Sequence, residues 1–279
     1  MTNASPNSIS QLAAIPDAAL WTSRTWPDFA GRRAPAKQVV VLPLFGWADW
    51  GLGRPLDLEE ILGAAVLREA LADRAAAKVP LLILPPLRWV LGPYPHTLFG
   101  VDFETACDLL REMATSIKAA GIRKLVLFNA SPWNEELVDS GGRDIRVELG
   151  LQVFCINLAA LDLDLHPVRS TTRSDVQCAA CAACGEPPRT AGAPKDESWT
   201  DFRPGNIRQP GPLAFDVPFE EARARGATLL TRAGRHFAAL LAEIHARRPL
   251  VADGAVPRQS PARTTKKSAA KNRRRRTRR

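Results

Sequence analysis

The chain of 279 residues is long enough for one large domain or two small ones, and 46% apolar residues is ordinary for a globular protein. The formal charge of +9 is unevenly placed. Residues 253–279 hold eleven Lys/Arg and one Asp, leaving 27 Lys/Arg against 28 Asp/Glu in residues 1–252. The body is therefore close to neutral, and a basic folded domain is excluded. No run approaches the ~18 apolar residues of a membrane span. The opening MTNASPNSISQLAAIPDAAL lacks the basic region and apolar core of a secretory signal. Five cysteines, three of them within seven positions, do not read as a disulfide framework and point to a reducing cytoplasm.

Residues 1–36 are rich in Pro, Ser and Ala and read as an arm on the domain, with Trp21 and Trp26 as anchors. Residues 39–44 form a short apolar run rich in β-branched side chains, a buried strand. After a Gly/Pro-rich loop, Pro55-Leu56-Asp57 opens a helix to about residue 77 with Asp57 as N-cap; Leu58, Ile61, Leu62 and Ala65 share one face. Residues 79–84 read as the second strand, closed by Pro85-Pro86. Residues 87–100 carry too much Gly and Pro to be regular. Ala106, Leu109, Leu110, Met113 and Ile117 then mark an amphipathic helix that Gly121 ends. The third strand spans 124–128, leads into NASPWN and a polar helical segment, and is followed by a fourth strand at 151–157.

Short apolar strands alternating with helices predict a three-layer α/β fold, a mostly parallel sheet with helices on both faces. Right-handed crossovers place the loops at 45–57, 85–101 and 129–135 along one sheet edge, so they are expected to form one cleft. Residues 162–217 read as an irregular insertion. A last amphipathic helix spans Phe219–Ala246, closing a domain of residues 37–250. Residues 251–279, ending in KKSAAKNRRRRTRR, have almost nothing to bury and are expected to be a disordered basic tail.

Four segments together resemble the creatininase (creatinine amidohydrolase) family. VVVLPLFGWADWGLGRPLDLEE is similar to its first strand and loop, LPxGSxEQHGxHLPxxxD. LLILPPLRWVLGPYPHTLFG resembles the LPPxxYGxSxEHxxFPGT segment, GIRKLVLFNASPWN the GFRRIVLxNGHGGN segment, and FEEARARGATLL the late ATAEKG segment. The resemblance implies a parallel-sheet α/β domain, often assembled as homo-oligomers. It also implies hydrolysis of a C–N amide bond, with two divalent ions, zinc or manganese, supplying a bound hydroxide and polarising the carbonyl.

Residue by residue, the family's ligands do not carry over. The Glu of EQH falls on Ala48 and its His on Trp50, and the second His of HGxH falls on Gly53. The Asp that bridges the metals falls on Glu59, which can still coordinate. The His of NGHGGN falls on Ser131 between Asn129 and Asn134, and an acidic ligand of some members falls on Trp133. Methyl and indole groups offer a hard cation no lone pair. No cofactor is expected, and the chain reads as a degenerate member that binds a small ligand or serves as a scaffold. The competing expectation is an active amidohydrolase with a carboxylate site rebuilt around Asp49 and Glu59.

Several features keep two readings at this level. Asp49, Asp57, Glu59 and Glu60 form a carboxylate cluster or favour a helix N-terminus. Trp47, Trp50, Trp89 and Trp133 line an aromatic pocket or fill the space left by the metals. Cys178, Cys181 and Cys184 hold zinc or part of an iron–sulfur cluster, with Cys155 or His166 as fourth ligand, or are small residues on a helix. His96 is expected to shape the cleft mouth, and His236 and His245 to lie on a helix face. The tail either binds nucleic acid or another polyanion non-specifically or is a solubilising extension.

Overall fold

The computed structural model describes residues 12, 15–29, 38–48, 50, 54–92, 97–166, 173–187 and 217–248. Asp49, Gly53, His96, the remainder of the 162–217 insertion and the basic tail lie outside the described residues. Four parallel strands make the sheet: β1 (Val39–Phe45), β2 (Leu81–Ile83), β3 (Lys124–Asn129) and β4 (Gln152–Asn157), in the order β2-β1-β3-β4. A short strand, Leu87–Arg88, continues the β2 side by pairing with Leu44 and Phe45. Between those two partners the neighbouring chain breaks at Pro85-Pro86. Pro43, which has no N–H to donate, falls at that break, so a central strand tolerates it.

Every residue of β1 and β3 is buried, and the period-two alternation divides their side chains between two cores. Val39, Val41, Phe45, Val126 and Phe128 face α1 (Leu58–Ala72), α4 (Arg173–Cys184) and α5 (Phe219–Ala246). Val40, Leu42, Leu44, Leu125 and Leu127 face α2 (Phe103–Ala119) and α3 (Glu135–Leu149). The sheet is thus covered on both sides, the predicted three-layer arrangement. Asp102 caps α2 by accepting the Thr105 N–H at 2.9 Å, and Gly150 ends α3 in the left-handed conformation at φ 64°. The N-terminal segment packs on this frame: Leu12 and Ile15 are buried, Leu20 bridges to Ile83 in parallel at the sheet edge, and Trp21 stacks on Phe29 at 4.6 Å.

Two expectations are corrected. The loop at 85–101 is not without regular structure. Besides Leu87–Arg88 it forms Val90–Leu91 paired with Gly100–Val101, and Thr97–Leu98 antiparallel to Trp47–Ala48. Each pairing is two residues long, too short to leave a periodic signature. The insertion, expected to be irregular, contains α4. Its alanines and cysteines let α5 approach closely enough that a Cβ on Gly226 would overlap the Cys178 carbonyl.

Candidate functional site

The chain leaves β1 through α1 on one face of the sheet and reaches β3 through α2 on the other. This reversal makes the topological switch point beyond the carboxyl ends of β1 and β3, the position whose crevice holds the ligands of open α/β sheets. Residues from all three loops meet there. Gly46 follows β1, Ser131 follows β3, and Glu59 enters from the first turn of α1. A Cβ on Gly46 would collide with the Glu59 carboxyl, Val90 and the Ser131 hydroxyl, so glycine is what lets these groups converge.

Glu59 is fully buried, and its Oε2 accepts the Gly46 N–H at 2.8 Å. Burial pushes its carboxyl from the ordinary 4.5 up to about 8, against the opposing pull of Ser131, the Gly46 amide and Trp50. Only the amide reaches full hydrogen-bond geometry; Glu59 Oε1, Ser131 Oγ and Trp50 Nε1 are buried without a hydrogen-bond partner. Glu60 is also buried, and Arg88 grips it with two bonds, Nε to Oε2 at 2.6 Å and Nη2 to Oε1 at 2.9 Å. This contact holds the Arg88 guanidinium more firmly protonated than usual. The two glutamates lie in the first turn of α1, where the macrodipole favours them, but neither is a solvated cap. Asp57 takes the N-cap position without a side-chain cap hydrogen bond.

The asparagines build the loop. Asn129 Oδ1 accepts the Ser131 N–H at 3.0 Å, while its Nδ2 donates to Ser131 O at 2.8 Å and to Asn157 Oδ1, its cross-strand partner, at 2.9 Å. Asn134 is fully buried and clips the 85–101 segment to the site: its Oδ1 accepts the Leu91 N–H at 2.7 Å and its Nδ2 donates to Trp89 O at 3.0 Å. Asn134→Ala strands the partly buried Leu91 N–H and the buried Trp89 carbonyl and is expected to lose about 2–3 kcal/mol in urea unfolding; an unchanged midpoint would refute this role.

The four tryptophans occupy the same end of the sheet but do not share one role. Trp89 is buried and packs into the α2–α3 core, whereas Trp50 packs against the α1 core. Trp47 meets Phe99 edge-on at 5.3 Å, and Trp133 lies 6.3 Å from His166. His236 Nδ1 is 3.3 Å from Asp162 on the exposed side of α5, and His245 lies in that helix's last turn.

The cysteine cluster lies on a helix, one of the two readings its spacing allowed. Cys178, Cys181 and Cys184 sit on α4 at i, i+3 and i+6, a span of about 9 Å along the axis. Zinc needs its sulfurs at about 2.3 Å from one point. Among the described residues no three His, Cys, Asp or Glu side chains group as metal ligands. Cys155 packs on the α2–α3 face, its thiol donating to Val138 O at 3.2 Å. His166 packs toward Trp133. Burial pushes the Cys178 and Cys184 thiols up, opposed by Arg225 and Arg54 respectively. Arg54 instead ties the site loop to α4, donating to Cys181 Sγ at 2.9 Å and to Glu186 O at 2.7 Å.

The described donors at the crevice are one free carboxyl oxygen and one hydroxyl, beside indole N–H groups that coordinate nothing. They do not fit a pair of divalent ions, each of which requires several oxygen or nitrogen donors. Sequence reasoning missed Gly46, Arg54 and Arg88. Each acts through a contact distant in sequence, and only the glycine at a strand end gave a local signal.

The family profile described as Creatininase: Creatinine amidohydrolase matches residues 22–199, well over half the chain. A comparison with curated protein sequences finds no match. Among solved structures, creatinine amidohydrolase (creatininase) superposes with a TM-score of 0.60 at 17% identity, covering 83% of this chain and 100% of that one. A Bacteroides fragilis NCTC 9343 protein assigned as a creatinine amidohydrolase gives 0.59 at 12% identity, covering 84% and 98%. A manganese form of creatininase gives 0.54 at 17% identity, covering 82% and 100%, and a Zn–Zn form is among the neighbours. At these identities the superpositions establish the fold, and the profile match establishes the family. The chain belongs to the creatininase family.

Proposed function

We propose that this creatininase-family chain binds a small ligand in its crevice, or serves as a scaffold, and has given up metal-dependent amide hydrolysis. The supporting observation is the environment of Glu59. Its Oε2 is engaged by the Gly46 amide, and Ser131 and Trp50 stand beside it where a dinuclear centre would need further carboxylates or imidazoles. The family's reaction draws its nucleophile and its carbonyl activation from the two ions, so a donor set that cannot hold them removes both. The competing reading, an active hydrolase rebuilt on Asp49 and Glu59, draws support from the unpartnered Glu59 Oε1. The five free cysteines suit a reducing cytoplasm, and the exposed Leu98, Phe99 and Phe103 near the crevice suit self-association.

Elemental analysis of the purified protein decides between the two. Less than a tenth of an equivalent of zinc or manganese is expected. Near-stoichiometric metal that disappears in Glu59→Ala would overturn the reading. Metal that survives Glu59→Ala and disappears in Cys181→Ser would move the site to α4.

A further inference from the structure

Two strand starts fix the C-terminal end of α5. Lys124, the first residue of β3, is buried and donates from Nζ to Ile244 O at 2.8 Å, His245 O at 2.7 Å and Arg247 O at 2.5 Å. Gln152, the first residue of β4, donates from Nε2 to Arg248 O at 2.8 Å. The last described residue, Arg248, therefore stands at the amino edge of the sheet, the pole opposite the crevice.

That pole is basic although the body as a whole is nearly neutral. Helices antiparallel to the strands end there. Exposed Lys78, Lys118, Arg123, Arg247 and Arg248 gather at it, with Asp73, Glu148 and Glu243 as the acidic residues of the same edge. The crevice pole carries Glu104, Glu135, Glu136, Glu220 and Glu221 in the first turns of α2, α3 and α5, beside Arg54 and an Arg88 that is paired with Glu60. The sequence then adds eleven Lys/Arg and one Asp in residues 253–279, eight of the eleven being Arg.

We infer that the exposed cations of this pole and the Lys/Arg-rich sequence of residues 253–279 bind the phosphodiester backbone of nucleic acid. Arginine's planar fork pairs with phosphate oxygens. The segment from Pro257 onward contains no aromatic residue to stack on bases, so the contacts are to the backbone and without sequence preference. A membrane surface fits less well. From Pro257 the apolar residues are prolines and alanines, which supply no second anchor beside charge. This surface is independent of whatever chemistry the crevice performs.

The test uses the full chain and a fluorescein-labelled 20-nucleotide single-stranded RNA, with anisotropy read between 50 and 200 mM KCl. Wild type is expected to bind at 50 mM and to lose about a hundredfold or more in affinity across that range. Changing Arg273, Arg274, Arg275, Arg276, Arg278 and Arg279 to Gln is expected to weaken binding at least tenfold at 100 mM. It should also make the log–log salt slope shallower by about 4, at about 0.7 per phosphate contact. Lys118→Glu with Arg123→Glu should weaken wild type severalfold, whereas Glu136→Lys at the crevice pole should leave affinity within twofold. Unaltered melting temperatures exclude unfolding as the cause. The inference fails if wild type does not bind at 50 mM, if the arginine variant binds like wild type, or if the pole variant does. Tighter binding to phosphatidylcholine vesicles containing one-fifth phosphatidylserine than to RNA would likewise overturn it.

Discussion

Glu59→Gln is expected to stabilise the protein at pH 8 and to change nothing at pH 4. The Glu59 carboxyl is raised from 4.5 in the unfolded chain to about 8 in the fold, because burial disfavours its charge more than one amide and two neighbouring side chains favour it. Below pH 4.5 both states hold the proton and the group contributes no pH dependence. Between 4.5 and 8 the unfolded chain releases the proton while the folded chain keeps it. The folded state then binds more protons, and stability falls as pH rises through that window. Above 8 both states are ionised and the loss stops growing. At about 1.36 kcal/mol per unit, the accumulated loss is on the order of 3–5 kcal/mol. Glutamine keeps the acceptor for the Gly46 N–H, presents an NH2 toward the Ser131 side, and has no charge to desolvate. Urea midpoints at pH 4 and pH 8, with a chelator present, read the effect. A variant no more stable than wild type at pH 8, or a wild type whose stability rises from pH 5 to 8, would contradict it.

A carboxyl that lowers stability at neutral pH while lying at the switch point of the sheet has the energetics of a functional-site residue. Such residues persist where activity opposes stability. Glu60, its neighbour, shows the contrast: an equally buried carboxylate receives a bidentate arginine. Glu59 retains an unpartnered oxygen facing a hydroxyl and an indole that are also unpartnered. The crevice thus keeps an unsatisfied polar centre although its donors suit no pair of metal ions, which is the arrangement a hydrogen-bonding ligand would complete.

How much of this was legible in the sequence follows from the range of the forces involved. The strands at β1 and β3 and the stripes of α2 and α5 are set by apolar periodicity within a few residues, and they stand where the pattern puts them except for Leu109, which α2 turns to the exposed side. The convergence of the three loops was legible too, because strand alternation and crossover handedness fix which strand ends meet. The partners inside the crevice were not. Glu59 and Glu60 read alike as first-turn acids, yet one meets Gly46, thirteen residues earlier in the chain, and the other Arg88, twenty-eight residues later. The cysteine spacing allowed either a ligand set or a helix. The helix itself packs against Gly226, which lies on a helix forty-eight positions beyond Cys178, a contact no local pattern announces. Two-residue pairings such as Trp47–Ala48 with Thr97–Leu98 are fixed by the loop's closure and leave no periodic trace.

Lys124→Met is expected to be the most destabilising single change outside the crevice. Lysine is seldom fully buried. Here the ammonium replaces its water shell with three carbonyl oxygens at the last turn of α5, the residues a helix leaves without partners. The negative end of the helix dipole adds to the attraction. Methionine fills the same volume but leaves the buried Ile244 carbonyl and the partly buried His245 and Arg247 carbonyls without this donor. The expected loss is about 3–5 kcal/mol, the range for removing one partner of a buried charge contact. Lys124→Arg should recover little, since a planar guanidinium cannot direct three donors at carbonyls that an ammonium reaches from one point. The loss should also be local in a way hydrogen exchange can read. Amides in the last two turns of α5 should lose protection first, while those of β1 and β3 keep theirs until global unfolding. A Lys124→Met protein within 1 kcal/mol of wild type, or one whose α5 terminus exchanges no faster, would show that the helix end is held by packing rather than by this ammonium.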